Sequence, residues 1–331
     1  MGRYDRYDES QVRVRPARRG SRPRTKDRPE HADAEVGVVV AVDRGRYTTR
    51  LDGRTVVAMR ARELTRTATV VGDRVAMVGD TSGREGTLAR IVRVEERRTV
   101  LRRSADDTDR VERVMVANAD QVGIVTALAE PEPRRRMIDR CLVAAYDAGI
   151  DPLLVLTKAD LADPESLLAD YAALDVPSVA TAGIDGPDPQ GLQELRDRLA
   201  DRTTVLVGHS GVGKSTLVNA LVPDADRSIG VVNVVTGRGR HTSTSAVALA
   251  LPGGGWIIDT PGVRSFGLGH VDPHGFVDVF PDLAPGTAGC PRACSHDEPG
   301  CALDAWVSSG GAGPNGAARL DSLRRLLRSR Q

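Results

Sequence analysis

Three kinds of hydrophobic spacing follow one another along the chain. Up to residue 94, apolar positions come in short runs at 36–42, 47–51, 55–59, 71–78 and 86–94. Runs of this length read as strands, and the Asp52-Gly53 pair between the second and third is a hairpin signal. Five such strands in about 60 residues predict a small barrel of OB or SH3 type. From residue 97 the spacing alternates. Apolar runs at 122–127, 153–156 and 203–207 read as buried strands, and residues 137–147, 166–174, 192–199 and 214–222 have helical spacing. That alternation predicts an α/β domain with a mainly parallel sheet, whose ligands sit beyond the carboxyl ends of the strands. Two more strands, 247–251 and 256–258, flank Gly253-Gly254-Gly255 as a hairpin. The last segment is helical at 304–307 and 319–328. There Leu320, Leu323, Leu326 and Leu327 form an apolar face, and the arginines between them face solvent or RNA.

The predicted organisation is a disordered basic arm over residues 1–34, an OB-type barrel over 35–96, an α/β domain over 97–275 and a C-terminal domain over 276–331. The arm is rich in Arg, Pro and Gly without apolar periodicity. With 46 basic and 45 acidic residues, net charge is +1 and no global field points to a partner. Locally, Arg44, Arg46, Arg50, Arg54, Arg60 and Arg62 on the barrel could meet phosphates or form an ordinary solvated surface. There is no apolar run of spanning length and no signal-peptide core. A soluble cytoplasmic chain with no membrane partner is expected, and a monomer.

Composition sharpens one motif. Of the basic residues only Lys26, Lys158 and Lys214 are lysine, and two of these fall inside motifs. Gly208-His209-Ser210-Gly211-Val212-Gly213-Lys214-Ser215, followed by Thr216, fits the phosphate-binding loop, set between a predicted strand and a predicted helix. Glycines there let backbone N–H groups turn around an anion at a helix N-terminus. Lys214 would reach the β- and γ-phosphates and Ser215 would ligate Mg²⁺. A guanidinium is no substitute for a compact ammonium in that cradle.

The strand at 153–156 runs into Thr157-Lys158-Ala159-Asp160, similar to the Asn-Lys-x-Asp motif that reads guanine in GTPases. Asp160 would accept from guanine N1–H and its amino group, and Lys158 would lay its stem over the base. Thr157 stands where Asn is usual, so one orienting contact is expected to be weakened or lost. Thr181-Ala182-Gly183 is either the loop that meets guanine O6 or a plain turn. The strand at 256–258 ends in Asp259-Thr260-Pro261-Gly262, the Asp-x-x-Gly signature. Asp259 acts on Mg²⁺ and the Gly262 N–H senses the γ-phosphate. A hydroxyl from residues 239–244, Thr242 or Thr244, should complete the metal shell, with Thr242 taken first. Val263 follows where Ras-like proteins carry the water-orienting Gln. His241, in the same 239–244 segment, could position the attacking water or be an exposed loop histidine without a role.

Cys290-x₃-Cys294-x-His296-x₄-Cys301 supplies three thiolates and an imidazole, the Cys₃His set of a closed structural Zn²⁺ site. Cys141 lies in the apolar pattern of its helix and reads as core.

The order of these motifs is unusual, because the guanine-reading motif precedes the phosphate loop, which precedes Asp-x-x-Gly. The order describes a circularly permuted GTPase sheet. Together with Ala117-Asn118-Ala119-Asp120-Gln121 and residues 259–266, it resembles the family of small-subunit-dependent bacterial GTPases called RsgA. The resemblance implies an N-terminal OB domain, a permuted P-loop GTPase using GTP/GDP and Mg²⁺, and a C-terminal zinc-binding helical domain. It also implies binding to the small (30S) ribosomal subunit and its rRNA, with GTP hydrolysis as a switch late in subunit maturation. The family spaces the zinc ligands one residue wider in the first and last gaps. A reading from another class is an RNA-binding scaffold that binds nucleotide with little turnover. An ATP-dependent kinase leaves Asp160 unexplained.

Overall fold

The computed structural model describes residues 31–64, 68–104, 113–223, 246–260, 267–268, 271 and 276–329. Residues 1–30 of the predicted arm, His241, Thr242, Thr244, Gly262 and Val263 lie outside the described residues.

The N-terminal alternation forms five strands, β1 (Glu35–Asp43), β2 (Arg46–Leu51), β3 (Arg54–Arg60), β4 (Arg74–Gly79) and β5 (Ala89–Val94). β1 pairs antiparallel with both β2 and β4, β3 runs parallel to β5, and β5 pairs with β4. The ring therefore closes in the order β1-β2-β3-β5-β4, an OB-type barrel filled by Val39, Val56, Val75, Met77 and Ile91. Asp52 and Gly53 take φ of 45° and 79°, the paired left-handed values of a two-residue hairpin turn.

A two-stranded ribbon not anticipated from sequence, β6 (Val100–Arg103) with β7 (Arg113–Ala117), follows the barrel. Here the barrel meets the rest of the chain. A Cβ on Gly72 would lie 1.9 Å from the Ala117 carbonyl oxygen, so only glycine permits the approach. Asn118 spans the junction: its Nδ2 donates to the Gly72 carbonyl at 2.9 Å, and its Oδ1 accepts from the Arg98 N–H at 2.8 Å. Buried Asp73 accepts from Arg97 Nε at 2.7 Å and from the Val70 N–H at 2.8 Å.

The α/β part comprises β8 (Gln121–Ala127), α1 (Arg135–Asp147), β9 (Asp151–Thr157), α2 (Glu165–Tyr171), β10 (Ser178–Ala180), α3 (Leu192–Leu199), β11 (Thr203–Gly208), α4 (Lys214–Leu221), β12 (Val247–Ala250) and β13 (Trp256–Asp259). The strand order is β10-β9-β8-β11-β13-β12, parallel except for the antiparallel edge strand β12. A single pair, Ala41 with Val247, continues the sheet into β1 of the barrel. Every residue of β8 is buried, as a strand covered on both faces requires. One face of the sheet packs on Leu195, Leu199, Leu217 and Leu221 of α3 and α4. The other packs on Ile138, Cys141, Leu142 and Ala145 of α1.

That second layer also takes in the C-terminal segment, which holds α5 (Ala302–Ser308) and α6 (Gly316–Ser329). Phe276, Phe280, Leu303, Leu320, Leu323, Leu326 and Leu327 join the core of α1. The arginine face of α6 corrects the expectation from sequence. At Arg319, Arg324 and Arg325 it turns onto protein, because carboxylates and carbonyls line the surfaces it meets, while Arg328 stays largely exposed. Arg319 pairs with Asp282 at 2.5 Å and Arg324 with Asp304 at 2.9 Å, and Arg328 pairs with Asp297 at 2.5 Å. Arg325 pairs with Asp139 of α1 at 3.3 Å, donates to the Asp170 carbonyl at 2.8 Å and lies 4.8 Å from the Tyr171 ring centroid. Arg140 of α1 returns a bond to the Ser329 carbonyl at 2.6 Å.

The Asp139–Arg325 pair gives a stability prediction. Asp139 is 5% exposed and Arg325 36%. Burial pushes the Asp139 carboxyl up, against the opposing pull of Arg325. Asp139→Ala leaves a half-buried guanidinium without its counter-ion. The expected loss is about 2–3 kcal/mol, below the ~3–5 kcal/mol of a fully buried pair, because Arg325 keeps partial hydration. Asp139→Asn, which keeps the shape and removes the desolvated charge, should lose less. Urea unfolding of the three chains checks this, and equal midpoints for wild type and Asp139→Ala would refute it.

Candidate functional site: a nucleotide cleft and a Cys₃His cluster

The phosphate loop leaves β11 at Gly208 and enters α4 at Lys214. Gly213 caps the helix at φ 85°, a left-handed value that keeps the loop's backbone in a tight turn, and its carbonyl accepts from the Leu217 N–H at 2.9 Å. Lys214 is buried although charged. Its ammonium donates to the Asp259 carboxylate and, at 2.5 Å, to the Thr260 carbonyl. The register explains the meeting: β11 and β13 are parallel neighbours with Leu206 opposite Asp259. Thr260 is held in turn by its hydroxyl, which donates to the Leu206 carbonyl at 2.7 Å. Ser215 stands exposed on the first turn of α4. Ser215 and Asp259 offer hydroxyl and carboxylate oxygens, donors suited to magnesium. His209 folds back so that Nδ1 lies 2.8 Å from the Ser210 carbonyl. It faces a small cavity against α1, lined with Pro131 and Met137.

The guanine-type motif begins on the last residue of β9, two strands from β11. Thr157, where the sequence predicts a weakened or lost orienting contact, makes a bond to the phosphate loop. Its buried hydroxyl donates to the Val212 carbonyl of the phosphate loop at 2.6 Å and lies 3.3 Å from the Thr126 carbonyl. A threonine on a strand end this close to the loop spans the gap without the longer asparagine. The Ala159 N–H donates to the Thr181 carbonyl at 3.1 Å, and the Thr181 N–H to the Leu156 carbonyl at 2.7 Å. Residues 181–183 are therefore tied beside residues 157–160, with Ala182 bridged to Gln190. Thr157, Lys158, Asp160, Gly183, Gly213 and Thr216 line one open cleft of about 430 Å³. The loop from β8 to α1, not singled out from sequence, forms another wall. Lys158 donates its ammonium to the Glu130 carbonyl, and Glu130 lines the cleft.

In the C-terminal segment, Cys290, Cys294, His296 and Cys301 converge, with all four ligand atoms within 4.8 Å of one another. Cys290 Sγ lies 3.8 Å from Cys301 Sγ and 3.7 Å from His296 Nδ1, and Cys301 Sγ lies 3.8 Å from that nitrogen. A tetrahedral zinc with Zn–S of about 2.3 Å needs sulfurs about 3.75 Å apart, so the donor set fits the ion. The short first and last gaps do not prevent convergence, because Ala293 and His296 turn the chain with φ of 61° and 59°. Burial pushes the Cys294 thiol up, and a coordinating cation would deprotonate it. Arg324 Nε donates to the His296 carbonyl at 3.0 Å, tying this loop to α6.

A family model described as RsgA GTPase matches residues 94–269, more than half of the chain. A relative from Pseudomonas aeruginosa (strain LESB58), named small ribosomal subunit biogenesis GTPase RsgA, is 44% identical over 227 residues, 65% of this chain and 64% of that protein. The chain thus spans just under two thirds of that relative's length. A relative of the same name from Gemmatimonas aurantiaca is 41% identical over 249 residues, 74% of this chain and 80% of that protein. The crystal structure of YjeQ from Thermotoga maritima superposes with a TM-score of 0.63 at 26% identity, covering 89% of this chain and 98% of that one. YloQ, a circularly permuted GTPase, shares the fold with a TM-score of 0.61 at 22% identity, covering 92% and 99%. With the guanine-type strand before the phosphate loop, on a sheet joined to a five-stranded barrel, and with this family match and these relatives, the chain belongs to the RsgA GTPase family.

Proposed function

We propose that this chain is a GTPase that binds the small ribosomal subunit and hydrolyses GTP to GDP and phosphate as a switch in the subunit's late maturation. The observation that carries this reading is the single cleft joining Asp160 and Lys158 to the phosphate loop. Its lining combines residues of the guanine-type motif, Thr157, Lys158 and Asp160, with Gly213 and Thr216 of the phosphate loop and the first turn of α4. The partner follows from the name shared by the relatives, small ribosomal subunit biogenesis GTPase.

In this reading Asp160 accepts from guanine, residues 181–183 meet its O6 edge, and residues 208–216 cradle the phosphates. Lys214 turns its ammonium from Asp259 to the β- and γ-phosphates. Ser215, Asp259 and Thr242 would hold magnesium, which when bound neutralises charge on the phosphoryl oxygens. Gly262 is assigned to the γ-phosphate and His241 to the attacking water. Cys290, Cys294, His296 and Cys301 would hold one structural zinc, which cross-links the loop that bears them. The barrel at 35–96, the GTPase at 97–275 and the zinc-binding part at 276–331 would be the functional divisions.

Val263 in place of a water-orienting Gln favours a second reading, a scaffold that binds nucleotide with little turnover. A missing water-orienting or charge-stabilising group slows hydrolysis by about 10³-fold or more. Single-turnover GTP hydrolysis with and without purified small subunits separates the two. The switch reading expects slow hydrolysis by the chain alone and a large acceleration on the subunit. Unchanged slow hydrolysis on a subunit that does bind would favour the scaffold.

A further inference from the structure

The loop from β8 to α1 brings Glu130 to the lining of the cleft. Glu130 sits at the tip of Lys158, which donates to its carbonyl. The next residue, Pro131, has its Cδ 3.7 Å from where a Cβ on Gly211 of the phosphate loop would stand. Glu130 thus lies between the residues that face a base and the residues that face phosphates. In a nucleotide, the group between base and phosphates is the ribose. The Glu130 side chain is exposed, lines the cleft and has no hydrogen-bond or ion-pair partner among the described residues. Its backbone carbonyl, by contrast, is held by Lys158, and Pro131 beside it lies next to Gly211 of the phosphate loop. The cleft therefore presents a positioned carboxylate, an acceptor with no donor of its own, at the level of the sugar. The 2′- and 3′-hydroxyls are the donors a nucleotide offers there. A carboxylate accepting from ribose hydroxyls is the same chemistry that dinucleotide-binding sheets use.

We propose that Glu130 is a specificity-determining residue that accepts a hydrogen bond from a ribose hydroxyl and makes the site select ribonucleotides over deoxyribonucleotides. Of the two other carboxylates that line the cleft, Asp160 is assigned to guanine, and Asp185, which follows the 181–183 loop, is the competing acceptor. Glu130 is favoured because it alone is tethered between Lys158 and the phosphate loop.

This inference rests on the guanine-nucleotide reading of the cleft, and the experiment separates the two. Affinities for GDP, 2′-deoxy-GDP and 3′-deoxy-GDP are measured by titration on the full wild-type chain and on Glu130→Ala, Glu130→Gln and Asp185→Ala. A hydrogen bond to a charged group corresponds to about 10- to 100-fold in affinity. Wild type should prefer GDP over at least one deoxy analogue by that factor. Glu130→Ala should lose the preference by weakening GDP alone, with the affinity for that deoxy analogue unchanged. Glu130→Gln, which keeps an acceptor without the charge, should lose part of it. Wild-type discrimination retained in both Glu130 variants overturns the proposal, as does discrimination that collapses only in Asp185→Ala, or a wild type indifferent to the sugar. A wild-type chain that binds no guanine nucleotide overturns this proposal and the function on which it rests.

Discussion

GDP and GTP should bind at least about 10⁴-fold more tightly than ADP and ATP, because a site built around guanine's donors leaves its polar groups unpaired when they are missing. The geometry supports so large a ratio. Asp160 is carried on a loop whose two neighbours are immobilised. Thr157 is bonded to the phosphate loop, and Ala159 is bonded to Thr181. Adenine presents no donor at ring position 1 and no amino group at position 2, so it would leave the carboxylate carried by this anchored loop unpaired. Asp160→Asn should weaken GDP by about 10²- to 10⁴-fold, the sum of two hydrogen bonds to a charged group. The same variant should recover affinity for xanthosine diphosphate, which has a carbonyl where guanine has the amino group. That rescue distinguishes base reading from a structural role, since a collapsed loop would not regain any ligand. Equal affinities for GDP and ADP in the wild-type chain would refute the assignment.

What sequence made legible follows the range of the interaction involved. Barrel strands were readable because an alternating strand with a Gly-containing turn is specified within about ten residues. The phosphate loop was readable for the same reason: strand, glycines and helix cap are contiguous. The β6–β7 ribbon was not, because its short, half-buried strands carry three arginines among their nine residues and are defined by each other across a gap in sequence. β10 has only three residues and exists because β9 is beside it. The α6 arginines were misplaced for a related reason. A helix face alternating Leu and Arg is amphipathic whatever lies opposite, and only the fold brings Asp139, Asp282, Asp297 and Asp304 against it. Asn118 and Gly72 make the same point at the barrel junction, where the reason for each residue is a backbone carbonyl more than 40 positions away. In the cleft, the residues with motif chemistry could be found by spacing. Glu130 could not, because a carboxylate before a proline carries no signal until Lys158 is seen to reach it.

Removing zinc should release residues 284–301 while leaving α6 docked and nucleotide affinity unchanged. The reason lies in how unevenly the C-terminal segment is held. Leu320, Leu323, Leu326 and Leu327 are buried in the core they share with α1, and each fully buried side chain of this kind is worth about 1.5–3 kcal/mol. The ligand loop has no comparable anchor: between residues 284 and 301 the buried side chains are those of Cys294, His296 and Cys301 themselves. What ties that loop to α6 otherwise is the bond from Arg324 to the His296 carbonyl and the Arg328–Asp297 pair, in which Arg328 remains 63% exposed. An exposed ion pair contributes about 0–1 kcal/mol. Structural zinc contributes on the order of 10 kcal/mol of coupled folding free energy, so the metal outweighs every other contact the loop makes. Chelation, Cys294→Ala or His296→Ala should therefore open a protease site within 284–301. Hydrogen exchange should stay slow along α6, and GDP titrations should superimpose on those of the wild type. Elemental analysis of the purified chain should find one zinc per molecule. A zinc-free preparation whose 284–301 segment still resists protease would show that the cluster is held by something other than the metal. Loss of protection along α6 on chelation would show that the helix depends on the loop, and not on its leucines.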